Sequence, residues 1–298
     1  VDMATALGMR ANFDPGIIVR TVGGEYTGAW RNVEKILLAI KDVVSEDDYK
    51  QINRILTQGC PFELKFEEEQ SSKTVMIKRG NQKSFTQHPD EVTKVFNKEV
   101  RYSHVLPLHD WVCQLGPNMR CTTQALVGKD IGTLDEKWRA IWDGTTKLTP
   151  EDVVANDQTP TEDEAEITFG MVKVLFYWLW FNMRVSFPDA IIFLALADIK
   201  ACFRFPKIHP DLTGAFGFLV NDLYCLATAM VFGSNTSASS WEPFRRAIEG
   251  LSKKFANRPD LVKKHKYYLD MIQWKMPSEH ESRPCLLYTS DAADDPAS

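Results

Sequence analysis

Apolar residues at Trp30, Val33, Ile36, Leu37, Ile40 and Val44 recur every three or four positions, which lines them up on one stripe of a helix. A helix also fits residues 48–56. Another is expected over 89–100, where Pro89 is followed by Asp90 and Glu91 in the first turn. Alternation marks 73–80 as a short strand. Residues 122–127 and 138–142 are strand-like runs joined by a polar, glycine-containing connection, which predicts a hairpin. Residues 149–167 are acidic, contain two prolines and read as a loop. An apolar helical segment over 170–185 precedes a buried strand over 191–197 that ends in Asp198. Two further strands, 215–220 and 223–228, flank Asn221-Asp222, a hairpin signal. Beyond a Gly- and Ser-rich turn at 233–240, helices are expected over 241–255 and 261–274. Helices mixed with hairpins in this way define an α+β fold.

Composition narrows the class. With 298 residues, 44% hydrophobic and 25% charged, the chain can bury a sizeable core as one large or two average domains. Residues 1–100 carry no recognisable chemistry and are taken as a partly helical N-terminal region; the motifs lie in 101–284. The most apolar runs, 174–181 and 190–197, are too short to span a bilayer, and no signal-peptide core opens the chain. An intracellular protein, cytoplasmic or nuclear and without membrane contact, is expected. The six cysteines form no CxxC pair and have no zinc-finger spacing to histidine, which predicts reduced, buried thiols.

A net charge of −5 argues against a surface that is basic throughout. Locally the balance reverses: residues 242–266 hold eight basic side chains against three acidic ones. Arg245 and Arg246 are thus candidates to meet a nucleic-acid backbone. A solvated helix face is the competing explanation.

Residues 285–294 read CLLYTSDAAD, which resembles the translation of a common transposase-based sequencing-library adapter. Residues 285–298 are therefore expected to be an adapter-derived, disordered artefact. On that reading the natural sequence is cut near Pro284.

Three blocks carry a family resemblance. The string LADIKACFRFPKIHPDLTGAFGF, followed by AMVFGSNTSASSWEPF, resembles the palm of retroelement reverse transcriptases. In that family an apolar strand delivers an aspartate, an aromatic follows five residues later, and a hairpin leads into a Pro-Phe-Gly or Pro-Gln-Gly turn that opens a helix. The matching positions are Asp198, Phe203 and Val231-Phe232-Gly233, with Val231 in place of the usual proline. Upstream, KWRAIWDGTTKL resembles the family's fingers strand. Together the blocks cover 129–248, and the texture is most similar to retrotransposons.

The resemblance implies a right-hand polymerase, its antiparallel palm sheet packed on helices, acting on an RNA template, a DNA primer and deoxynucleoside triphosphates. Two Mg²⁺ ions stabilise the attacking and leaving oxygens in such chemistry, held by few carboxylates on rigid structure. Asp198 is then the catalytic metal ligand, with the Ile199 carbonyl on the second metal. Phe203 corresponds to the ring that excludes a ribose 2′-hydroxyl, although Phe205 competes for the slot. Lys129 and Arg139 are candidates for the triphosphate, with Lys137 a rival to Lys129. Phe232 and Gly233 line the nucleotide pocket, and Asp143 matches a structural fingers aspartate.

The family's Tyr-x-Asp-Asp hairpin is missing. Tyr268-Leu269-Asp270-Met271 does not replace it, because 261–274 has helical spacing and Met271 stands where the second aspartate belongs. The chain is thus expected to be an incomplete, inactive fragment of a polyprotein whose other domains are candidate partners. Two alternatives remain. An RNA-dependent RNA polymerase is disfavoured by Cys202-Phe203 after Asp198. A decayed or domesticated domain that binds nucleic acid without catalysis is the other.

Overall fold

The structure is a computed structural model that describes residues 1–28, 30, 32–61, 70–116, 118–134, 136–147, 156, 185, 188, 199 and 201–256. The expected strand ending in Asp198 and the expected helix over 261–274 lie outside the described residues. So do the tail from 285 and, apart from single residues, the segments 149–167 and 170–185.

Helices α1 (Asp2–Arg10), α2 (Pro15–Val22), α3 (Val33–Ile40), α4 (Glu46–Gln58), α5 (Gln70–Arg79), α6 (Lys83–Thr86) and α7 (Pro89–Arg101) precede the first strand, β1 (Val105–His109). After α8 (Val112–Leu115) come β2 (Thr123–Lys129) and β3 (Lys137–Asp143). Two 3-10 segments, Cys202–Arg204 and Pro210–Phe216, lead to β4 (Gly217–Val220), β5 (Leu223–Ala227) and α9 (Thr236–Ala256). Local chemistry starts several of these helices. Asp14 accepts from the Ile17 N–H with Pro15 at the first helical position, and Ser45 accepts from the Asp48 N–H. Helix α7 carries Asp90 and Glu91 at its start and Lys98 and Arg101 at its end, matching its dipole.

The strands form two small antiparallel sheets, β1-β5-β4 and β2-β3, so the architecture is α+β. Both faces of the three-stranded sheet are covered. Val105, Phe218, Val220, Cys225 and Ala227 face one core with Ile52, Phe85 and Phe96; Leu106, Leu108, Tyr224 and Leu226 face a second with Ile18 and Val19. Two-sided burial explains why β5 reads as an apolar run rather than an alternation. Tyr224 is fully buried and donates its hydroxyl to the Arg120 carbonyl (2.6 Å). The larger core joins α4 and α7 to β4, β5 and α9, so its side chains come from both sides of residue 100. Cys60, Cys113, Cys121, Cys202 and Cys225 are buried. No helix among the described residues is long and apolar enough to cross a membrane.

Three expectations need correction. Residues 73–79 of the expected strand over 73–80 belong instead to helix α5, in which Lys73 and Ile77, four apart, both face inward: Lys73 Nζ donates to the Gly116 carbonyl (2.7 Å) and Ile77 packs on the second core. The strand expected over 215–220 is shortened to Gly217–Val220, since Ala215 and Phe216 end a 3-10 segment. Helix α9 starts at Thr236 rather than 241, and the expected serine-rich turn supplies its first turn. There Ser237 donates to the Val231 carbonyl (2.6 Å) and Ser239 to that of Thr236 (3.0 Å), so buried hydroxyls replace solvent.

Candidate functional site

The chain after residue 199 folds into a tight turn. Ala201 sits in the left-handed region (φ 56°), and the Arg204 N–H closes the turn on the Ala201 carbonyl (2.8 Å). A non-glycine residue at positive φ stores strain that surrounding packing must hold. The turn sends its two phenylalanines apart. Phe203 meets Phe232 edge to face, ring centroids 5.5 Å apart. Phe205 stacks on Trp30 at 4.3 Å and abuts Trp241 and Phe244. Both rings are half-buried against the main core, Phe205 within an aromatic cluster with Trp30, Trp241 and Phe244 and Phe203 beside the 230–233 turn.

That turn docks on the β2-β3 ribbon. The Trp142 N–H donates to the Phe232 carbonyl (2.8 Å). Gly233 has φ 103°, and a Cβ there would lie 2.0 Å from the Trp142 carbonyl oxygen, so only glycine fits. Asn156 fixes the far side. Its Nδ2 donates to the Gly233 carbonyl (2.8 Å), its Oδ1 accepts from the Asn235 N–H (3.3 Å), and its own N–H donates to the Gly144 carbonyl (3.1 Å). Nothing in the acidic segment around Asn156 distinguished it in advance.

Ribbon register places the cations. Lys129 pairs with Lys137, Val127 with Arg139 and Ala125 with Ile141, so Lys129, Lys137 and Arg139 share one face. All three are exposed. On the same face, Ile141 lies against Gly233, its Cγ2 3.5 Å from where a Cβ would stand. At the ribbon's base the Asp143 carboxylate accepts from Thr145 N–H (3.2 Å) and Oγ1 (2.9 Å), and from Thr146 and Gln82. Burial pushes this carboxyl up, but those hydrogen bonds outweigh it and hold it below the ordinary aspartate range. Asp143 therefore organises a turn.

Behind the aromatic pair lies a buried polar cluster. Arg204 is 7% exposed; its Nη1 donates to the Met230 carbonyl (3.0 Å), and its Nε stands 3.2 Å from Glu99 Oε2 as an ion-pair contact. Glu99 also meets His104 Nδ1 at 3.1 Å. Burial raises the Glu99 carboxyl, but Arg204 chiefly brings it below its usual range; burial lowers His104 despite Glu99, which keeps the ring neutral at pH 7. Lys207, whose Nζ donates to the Ser103 carbonyl (2.8 Å), is pulled down by burial to about 8. No motif in the sequence singled out Arg204, which stands between Phe203 and Phe205.

Other candidates are distributed differently. Ile199 is half-buried on the main core, while Asp198 lies outside the described residues. Among the described residues no group of three or more His, Cys, Asp or Glu gathers as a metal site, so the fit to magnesium rests on Asp198. Arg245 grips Glu242 through two nitrogens (2.7 and 2.8 Å) and reaches Glu249 (3.1 Å). Arg246 bridges Glu242 (3.2 Å) and Asp48 on α4 (3.0 Å). Arg245 thus pairs within α9, while Arg246 also ties α9 to α4. Compared with family models, curated proteins and solved structures, the chain finds no match.

Proposed function

We propose that this chain is the fingers and palm portion of a retrotransposon-type reverse transcriptase, an RNA-directed DNA polymerase. One convergence supports the reading. Blocks that are far apart in sequence, Trp138–Asp143, Phe203 and Phe232-Gly233, meet at one place, through the 5.5 Å aromatic contact and the 2.8 Å bond from Trp142 to Phe232. A cationic ribbon face beside a glycine turn and an aromatic edge suits a nucleoside triphosphate. Arg139 and Lys129 supply positive charge for the phosphates, Gly233 admits close backbone approach, and the Phe203 ring fills the space of a 2′-hydroxyl.

Magnesium, when bound through Asp198 and the Ile199 carbonyl, would supply charge stabilisation at the reacting phosphate. Template and primer are partners on this reading; Arg246 acts on them indirectly, by holding α9 against α4, and Arg245 pairs with carboxylates of its own helix. The test is primer extension on an RNA template by the polypeptide read from the source transcript, beside the chain of 298 residues. Extension by the former, abolished by Asp198→Asn and opened to ribonucleotides by Phe203→Val, is expected. A source transcript without Tyr-x-Asp-Asp would instead leave a nucleic-acid-binding domain without catalysis. Unchanged sugar discrimination in Phe203→Val would remove Phe203 from the site.

A further inference from the structure

We infer that Arg204 is a positioning residue for sugar selection, acting as an internal clamp that sets the spacing between Phe203 and the 230–233 turn. This inference rests on the function proposed above. The two rings that meet at 5.5 Å belong to segments 29 residues apart, and neither ring makes a directional bond. What can fix their separation is the polar link beneath them. Arg204 immediately follows Phe203; Met230, whose carbonyl accepts from Arg204 Nη1 at 3.0 Å, lies two residues before Phe232.

The backbone adds a second tie, from the Met230 N–H to the Pro206 carbonyl (3.1 Å), so Met230 is held on both its polar groups by the segment that carries Phe203. Glu99 anchors the other end of the guanidinium, with Nε and Oε2 3.2 Å apart, and thereby references the turn to helix α7. A planar guanidinium suits this task because its donors diverge in a fixed geometry. Ala201 at positive φ needs such an external restraint, since the turn alone favours relaxation. The clamp is 7% exposed and directed away from solvent, which separates it from phosphate binding.

The experiment has two readouts. In the active parent polypeptide, the ratio of kcat/KM for a deoxynucleotide to that for the matching ribonucleotide is measured for wild type, Arg204→Met, Arg204→Lys and Glu99→Gln. Arg204→Met is expected to lower that ratio about tenfold, an effect typical of a reacting group displaced by a fraction of an ångström. Arg204→Lys, which keeps one donor toward Met230, restores part of it, and Glu99→Gln lies between. In the chain described here, 4-fluorophenylalanine at position 232 reports ring packing by fluorine NMR. Its resonance shifts in Arg204→Met and returns in Arg204→Lys. An unchanged fluorine resonance in folded Arg204→Met overturns the inference, as does an unchanged discrimination ratio. Absence of polymerisation by the wild-type parent removes the proposed function and the selection role that rests on it, while the fluorine shift still decides whether Arg204 sets the ring spacing. Should Arg204→Met fail to fold, Glu99→Gln decides by the same two readouts.

Discussion

The three-stranded sheet and the two-stranded ribbon are both antiparallel, yet they are covered differently. The sheet is sealed on both faces by apolar side chains, with Leu108, Tyr224 and Leu226 fully buried. The ribbon has one cationic, exposed face; its other face buries Leu126, Ala140 and Trp142 in the main core, and polar tethers add to that: Gln124 N–H to Asn81 Oδ1 (2.9 Å), Leu126 N–H to Ser84 Oγ (3.2 Å), and the Asp143 turn. Apolar burial carries no group to titrate, whereas the Asp143 carboxylate makes the turn at the ribbon's base sensitive to pH. The contrast is between a sheet covered on both faces and a ribbon covered on one, whose open face bears Lys129, Lys137 and Arg139.

The largest effect is expected where the sheet is broken. Phe218, 2% exposed and 5.4 Å from the Phe96 ring, should lose about 3–5 kcal/mol on Phe218→Ala, read by urea unfolding. Next comes Lys207 behind the sheet. Its folded value of about 8 lies below 10.5, so between those values the unfolded chain binds more protons and stability rises with pH. The rise is about 3 kcal/mol at most, and Lys207→Met should abolish it; a variant that keeps the same pH slope would assign that slope to another group.

Smaller effects test the ribbon. Gly233→Ala forces a side chain into positive φ and against the Trp142 carbonyl, for a loss of about 2 kcal/mol. Hydrogen exchange should then accelerate in β2-β3 and leave β5 protected, and uniform acceleration would erase the distinction between the two sheets. Asp143→Asn should cost about 1 kcal/mol at pH 7. Because its folded carboxyl titrates below the ordinary range, that stabilisation is present above pH 4 and disappears as pH falls through the folded value. The smallest change is Lys137→Glu, which removes the like-charge pair with Lys129 and should raise stability slightly at low salt only.

Elements with a local cause were readable from the residues. The β2-β3 and β4-β5 hairpins follow from alternation and from Asn221, whose φ of 51° suits a two-residue turn. Helices α4 and α7 follow from their first-turn chemistry. Elements decided by tertiary contact were not readable. Pro107 hides β1, a strand that tolerates proline because it is at the edge of its sheet. In helix α5, Lys73 and Ile77 meet partners distant in sequence. At the site, motif spacing supplied Phe203, Phe232 and Gly233, but their neighbours Asn156 and Arg204 owe their positions to bonds with distant backbone carbonyls, which no local pattern encodes.

Proline at position 107 has an outcome beyond β1 itself. It withholds an N–H, and the His109 N–H is donated to Thr5 Oγ1 (3.1 Å) on α1. The opposite margin, β4, is occupied where Asn81 Nδ2 donates to the Leu219 carbonyl (2.8 Å) and the Thr122 N–H to that of Gly217 (2.9 Å). Among the described residues these contacts occupy part of both borders of the three-stranded sheet, which disfavours cross-strand growth at those positions.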